Sequence, residues 1–147
     1  MRLLNVENFK KLVSLDLTGA TRLLRLLAYG SSLQIINFVG GCPVQYAELP
    51  TTMTQFKLMN LDKLSYKGLN ADTGIVVESM PNITTLRVEN CPLIDVVKMI
   101  RDIIDSQEGN VVFRHIRITN RDFIGTVRKC WKSCNSVSGD WMKTVIR

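Results

Sequence analysis

A short pattern of apolar and polar positions recurs five times along the 147-residue chain. Each copy has an apolar residue, two variable residues, a second apolar residue, one variable residue and a third apolar residue. The copies start near residues 12, 33, 53, 83 and 113. Their apolar positions are Leu12, Leu15 and Leu17; Leu33, Ile36 and Phe38; Met53, Phe56 and Leu58; Ile83, Leu86 and Val88; and Phe113, Ile116 and Ile118. The last two positions of each copy have the two-residue period of a half-buried strand, so the pattern predicts five short strands.

Residues suited to turns follow these strands. Asn60, Asn90 and Asn120 stand two positions after the last apolar residue of the third, fourth and fifth copies, and Gly19 and Gly40 hold that place in the first two. Asparagine and glycine accept the backbone conformations of tight turns. Because one copy cannot bury its own apolar face, we expect successive copies to stack with their strands paired in parallel.

This pattern resembles that of the leucine-rich repeat family, L-x-x-L-x-L-x-x-N/C-x-L, over about residues 12–121. Cys91 stands at the N/C position of its copy, Ala20 takes that place in the first copy, and Cys42 comes one residue late. The resemblance implies one leucine-rich repeat domain over residues 1–147. Its fold would be an α/β solenoid with a short parallel sheet on the concave face and helices or irregular turns on the convex face. The uneven spacing of the copies is typical of an irregular member.

The segments between the predicted strands differ in kind. Apolar residues at steps of three and four predict an amphipathic helix over 95–105, with Asp95 at its start and Gly109 and Asn110 after its end. Its outward-facing side chains would be Lys98, Arg101, Asp102 and Asp105. A similar spacing recurs over 122–134. The short segments 23–27 and 47–50 are expected to be extended or single-turn connections.

The composition indicates a folded domain with a charged end. Hydrophobic residues make up 46% of the chain and charged residues 22%, and the net charge is +6. Basic and acidic side chains balance over residues 1–109, so the whole excess falls in residues 110–147. We interpret residues 122–147 as a basic C-terminal cap or tail. Such an end could attract nucleic acid, an anionic surface or an acidic protein, or could be a solvated helix face.

The predicted strands align one polar column across the concave face: Asp16, Asn37, Lys57, Arg87 and Arg117. Strands lie about 4.8 Å apart, so the last three would form a basic strip about 10 Å long. Arginine also suits bidentate capture of a carboxylate or phosphate. The predicted ligand-binding residues are Asn37, Lys57, Arg87, Arg114, His115 and Arg117. Alternatively, Glu89 partly neutralises the strip, which would then be an ordinary soluble surface.

Catalytic, metal and cofactor sites are not predicted. His115 is the only histidine, and a cluster of it with Cys130 and Cys134 would need a fourth zinc ligand. The chain has no glycine-rich phosphate loop, and Gly40-Gly41 is interpreted as a turn. Trp131 and Trp141 lie among lysines and could stack nucleobases, but they could equally cover the end of an apolar stack, so nucleic acid is not the favoured partner.

Taken with the resemblance, these features predict a non-catalytic module that binds a protein or peptide on the concave strand face. An acidic protein or peptide is one such partner. The alternative is a structural building block of a larger assembly, such as a cell-surface or a viral or phage structural protein. The ends of the stack are compatible with a homo-oligomer or with a part of a longer chain. We expect no membrane span and see no signal peptide. The four cysteines are expected to be reduced, which favours the cytoplasm unless the chain is a fragment; the compartment is otherwise left open.

Overall fold

A computed structural model of the protein describes residues 2–39, 42–108 and 115–118. These residues form nine β-strands and one α-helix. The elements in chain order are β1 (Leu3–Asn5), β2 (Ser14–Asp16), β3 (Arg25–Leu27), β4 (Ile35–Val39), β5 (Tyr46–Glu48), β6 (Gln55–Met59), β7 (Gly74–Val76), β8 (Thr85–Glu89), α1 (Val96–Gln107) and β9 (His115–Ile118).

The strands alternate between two parallel sheets. One sheet has four strands in the order β1-β3-β5-β7, and the other has five in the order β2-β4-β6-β8-β9. The five-stranded sheet consists of the five strands predicted from the sequence pattern, in chain order, and every pairing in it is parallel. Parallel pairing of these segments is therefore confirmed, and the chain has an α/β fold.

The four-stranded sheet was not predicted. The sequence suggested extended or single-turn connections over 23–27 and 47–50, but residues 25–27 and 46–48 are the strands β3 and β5, which pair with each other. Each of these strands has three residues and buries its middle residue, Leu26 or Ala47, completely. The backbone N–H of Ala28 donates to the carbonyl of Glu48 at 2.8 Å, which extends the ladder past the end of β3. A strand with a single fully buried position shows no two-residue period, so the sequence pattern could not reveal this sheet.

A single hydrophobic core includes side chains from both sheets. The five-stranded sheet contributes large residues such as Phe38 and Phe56, and the four-stranded sheet contributes Leu26, Ala47 and Ile75. All five are fully buried. Fully burying a large apolar side chain contributes about 1.5–3 kcal/mol, so this shared core holds the two sheets together.

The asparagines that follow the strands have the predicted turn role. Asn60 and Asn90 have left-handed backbones, with φ of 57° and 52°, as does Gly19 with φ of 80°. The Nδ2 of Asn90 also donates to Oδ1 of Asn60 at 3.0 Å, which links equivalent turns of adjacent strands. Asn120 and Gly40 lie outside the described residues.

Helix α1 confirms the predicted amphipathic segment. Asp95 precedes it, and its carboxylate accepts a hydrogen bond from the backbone N–H of Lys98 at 3.0 Å. The side chains at three- and four-residue steps that face the core are Val96, Met99, Ile100 and Ile103. The helix ends at Gln107 and is capped by Glu108, whose backbone is left-handed with φ of 45°. Gly109, Asn110 and the predicted helix over 122–134 lie outside the described residues, as do Cys130, Cys134, Trp131, Trp141 and the basic tail.

One side chain of α1 corrects the prediction. Asp102 was expected to face outward, but it is 6% exposed. Its carboxylate accepts a hydrogen bond from the Tyr66 hydroxyl and another from Lys98 Nζ at 3.2 Å. A buried carboxylate requires such donors. Tyr66 is 36 residues away in sequence, so helical periodicity alone could not place this pair.

Candidate ligand-binding face

The five-stranded sheet has one buried face and one face that is partly exposed to solvent. In β6, Phe56 and Leu58 are buried, whereas Gln55, Lys57 and Met59 are only partly so. Strand β8 repeats this alternation. Alternate side chains of a strand lie on opposite sides of the sheet, so the polar residues of each strand share the face away from the core.

Strand register brings five of these polar residues into one row. Asp16 pairs with Asn37, Asn37 with Lys57, Lys57 with Arg87, and Arg87 with Arg117. We call Asp16, Asn37, Lys57, Arg87 and Arg117 the polar row. Neighbouring strands lie about 4.8 Å apart, so its three cations fall within about 10 Å along the sheet.

Glu89 joins two of these cations. Its Oε1 lies 3.1 Å from Arg87 Nε and 3.1 Å from Arg117 Nε. Its Oε2 also accepts a hydrogen bond from Nη2 of Arg87 at 3.3 Å. A carboxylate between two guanidinium groups offsets their repulsion, so the neutralisation considered from the sequence is present. It is partial, because one carboxylate faces three cations and Lys57 forms no ion pair within the described part of the chain.

The acidic end of the polar row is held in its ionised form. The Asp16 carboxylate accepts hydrogen bonds from the Thr18 hydroxyl at 2.6 Å and the Thr18 backbone N–H at 2.9 Å. These bonds lower the pKa of Asp16. The row therefore changes from negative to positive charge along the sheet.

Asn37 lies between the two ends with an unsatisfied acceptor. Its Oδ1 is buried, and no donor among the described residues is within hydrogen-bond distance of it. An unpaired buried acceptor costs about 1–3 kcal/mol, so this position lowers the stability of the sheet.

The structure brings together four of the six predicted ligand-binding residues: Asn37, Lys57, Arg87 and Arg117. The backbone of His115 lies in β9, paired with Thr85, but its side chain is outside the described residues, as is Arg114. Glu89 partly neutralises the row, as the alternative drawn from the sequence expected. Its position two residues after Arg87, on the same face of the strand, is the sequence signal for this pair.

Two cysteines near this sheet are packed thiols. Cys42 and Cys91 are buried, and burial raises the pKa of each thiol. The Sγ of Cys91 lies 3.4 Å from the carbonyl oxygen of Leu58 and 3.3 Å from that of Glu89, and its one S–H is shared between these two acceptors. A raised pKa disfavours the thiolate, which is the nucleophilic form. In residues 2–39, 42–108 and 115–118, no three His, Cys, Asp or Glu side chains converge to hold a metal ion.

Comparison of the chain with protein-family models, with characterised proteins and with solved structures gives no match. Within the described residues, no helix has both the length and the apolar character needed to cross a bilayer.

Proposed function

We propose that this chain is a non-catalytic binding module that takes up an acidic segment of a partner protein across the polar row. The observation that carries the proposal is the register that aligns Lys57, Arg87 and Arg117 on adjacent strands. Like charges at this spacing disfavour folding unless counter-charges are nearby. Glu89 supplies one carboxylate, and an acidic ligand supplies the others.

The three cations have different parts in this binding. Arg87 is held by both oxygens of Glu89, so it fixes the position of that carboxylate. The Arg117 side chain is 69% exposed and would meet a ligand first. Lys57 would provide the charge that Glu89 does not neutralise.

We further propose that the whole chain is a solenoid of the leucine-rich repeat type. Strands that alternate between two parallel sheets are what successive coils of a solenoid would produce. The pattern of buried and exposed positions over residues 51–64 is identical to that over residues 81–94. The linked turns at Asn60 and Asn90 recur at the same place, and Cys91 fits the family position. The face with the polar row would then be the concave one.

Peptide display tests the binding function. A library of random twelve-residue peptides is selected on the full chain, and the enriched peptides are measured against Lys57→Gln/Arg117→Gln. Lys11→Gln/Arg22→Gln is the matched control, because both of its residues are exposed and it removes the same charge. We expect acidic peptides to be enriched and to bind the polar-row variant about tenfold more weakly, equivalent to about 1.4 kcal/mol.

The same experiment can reject the proposal. Enriched peptides that bind the polar-row variant and the control variant equally well would place binding elsewhere on the molecule. A selection that enriches neutral or basic peptides would contradict the proposed chemistry of the ligand.

A second candidate function is a building block that associates end to end. Strands β1 and β2 stand at the ends of the two sheet orders, and large apolar side chains near them, Leu3, Phe9 and Val13, are exposed. Unpaired strand edges with exposed apolar residues favour association between chains. Sedimentation velocity over a range of concentrations should then show oligomers that Val13→Lys disrupts. A monomer at every concentration would reject this candidate.

A further inference from the structure

The four-stranded sheet has an open groove of about 610 Å³ that the polar row does not share. One wall comes from the first residues of β3, β5 and β7, where Arg25, Tyr46 and Gly74 are in register. The other wall comes from the segment 63–67, through Lys63, Ser65 and Lys67. Because the two sheets are separate, this groove and the polar row are distinct surfaces.

The side chains of the segment 63–67, which forms the second wall, point alternately into the core and into the groove. Leu64 and Tyr66 are buried in the core, whereas Lys63, Ser65 and Lys67 line the groove between them. The segment is fixed to the sheet by a hydrogen bond from the backbone N–H of Ile75 to the carbonyl of Ser65 at 2.9 Å.

Gly74 permits this close approach. Its φ is +72°, and a Cβ at this position would lie 2.3 Å from the Ser65 carbonyl oxygen. Only glycine lets the backbone of β7 and Ser65 meet in this way. The wall that includes the two lysines is therefore held by backbone contacts.

The opposite wall presents a guanidinium that is already oriented. The Cζ of Arg25 lies 4.9 Å from the centroid of the Tyr46 ring, so the two groups are stacked. The Tyr46 hydroxyl donates to Glu48 Oε1 at 2.5 Å, which fixes the ring. A stacked guanidinium keeps its planar edge of N–H donors available to a carboxylate.

The charges of the groove are unbalanced and spread out. Arg25, Lys63 and Lys67 line it together with one carboxylate, Asp72. None of the three cations forms an ion pair with any residue that the structure describes. Arg25 and Gly74 are two strands apart, about 10 Å, and the Cα atoms of Lys63 and Lys67 are at most about 14 Å apart.

The distances between these cations favour one kind of ligand. One phosphate group is too small to reach cations distributed over such a length, whereas side chains on one face of an extended peptide recur about every 6.7 Å. We infer that the groove between Arg25 and the segment 63–67 binds an acidic peptide segment in an extended conformation. This site does not depend on the function proposed for the polar row.

Fluorescence anisotropy with labelled hexaglutamate tests the inference on the full chain at low salt, with hexaglutamine as the neutral probe. The groove variant is Lys63→Gln/Lys67→Gln, and Lys11→Gln/Arg22→Gln is the charge-matched control at exposed positions. We expect the groove variant to weaken hexaglutamate binding about tenfold and the control to weaken it about twofold or less. Arg25→Lys keeps the charge but loses the planar stack, and it should weaken binding about threefold.

Three results would overturn the inference. Equal weakening by the groove and control variants would show attraction to net charge alone. Loss of binding only in Lys57→Gln/Arg117→Gln would assign hexaglutamate to the polar row, which supports the proposed function and rejects the groove. Displacement of hexaglutamate by inorganic phosphate at equal charge concentration would make the ligand a small anion.

Discussion

Replacing Tyr66 with phenylalanine removes one hydroxyl from the interior without changing the shape of the ring. Tyr66 is 2% exposed, and its hydroxyl donates to the carboxylate of Asp102, which is itself buried. In the variant that carboxylate keeps the hydrogen bond from Lys98 Nζ at 3.2 Å. The change therefore removes one of the two donors that the described residues direct at this buried charge.

The loss of the Tyr66 hydrogen bond lowers the free energy of unfolding. Leaving a buried acceptor without its donor costs about 1–3 kcal/mol. For a chain of this length each kcal/mol corresponds to about 2–4 °C in Tm. We expect Tyr66→Phe to lower the free energy of unfolding within this range at pH 8.

The loss should also depend on pH. Burial raises the pKa of Tyr66 well above its usual value of 10.0, and the adjacent Asp102 carboxylate raises it further. Below pH 10 the hydroxyl is protonated in both the folded and the unfolded chain, so its stabilising contribution is complete. Above pH 10 the unfolded chain releases this proton and the folded chain keeps it, which favours unfolding by about 1.4 kcal/mol at pH 11.

Urea denaturation followed by far-UV circular dichroism at pH 8 and pH 11 measures both effects. The stability difference between wild type and Tyr66→Phe should be smaller at pH 11, because the variant has no hydroxyl to titrate. Tyr46→Phe is the matched control at pH 8. Its hydroxyl also donates to a carboxylate, that of Glu48, but in a partly exposed position, so its loss should cost less than about 0.5 kcal/mol.

Two outcomes would refute the reasoning. An equal stability difference at pH 8 and pH 11 would mean that the Tyr66 hydroxyl ionises as readily in the folded chain as in water. A loss at pH 8 no larger than that of Tyr46→Phe would mean that Asp102 does not need this donor.

Two further changes test the backbone contacts. Gly74→Ala should destabilise the fold by about 2–5 kcal/mol, because a left-handed φ costs about 1–2 kcal/mol and the overlap with Ser65 breaks a backbone hydrogen bond. Gly19→Ala is the control, because Gly19 is also left-handed but has no atom within 4 Å of the added Cβ. This control variant should cost about 1–2 kcal/mol. Equal losses in thermal unfolding would contradict the close approach at Gly74. Asp95→Ala removes the carboxylate that accepts from the Lys98 backbone and should cost about 1 kcal/mol, whereas Asp95→Asn should retain most of the stability. Identical Tm values for the two Asp95 variants would argue against the cap.

The sequence predicted the elements whose apolar positions recur often enough to show a period. The five-residue strands β4, β6 and β8 each bury two alternating residues, and α1 buries side chains over three turns. Strands of the four-stranded sheet bury too little to be recognised: Leu26 is the one fully buried residue of β3. Their pairing is set by contacts between segments about 20 to 30 residues apart, which local patterning does not encode.

The polar row could be placed from the sequence because its residues occupy the same position in each copy of the pattern. Parallel pairing then aligns Lys57, Arg87 and Arg117 without further information. The bridge through Glu89 and the orphaned oxygen of Asn37 depend on side-chain rotamers, and the burial of Asp102 depends on Tyr66 in a distant segment. The groove on the four-stranded sheet was missed because that sheet was missed.

The unequal chain lengths between successive strands have an evolutionary consequence. Lys57 follows its partner Asn37 by 20 residues, whereas Arg87 follows Lys57 by 30, yet the register of the sheet is the same. The longer stretch includes the segment 63–72, in which Lys63, Ser65, Lys67 and Asp72 line the groove. Insertions or deletions in that stretch can therefore reshape the groove while the polar row keeps its spacing, so selection could tune the two proposed ligand sites separately.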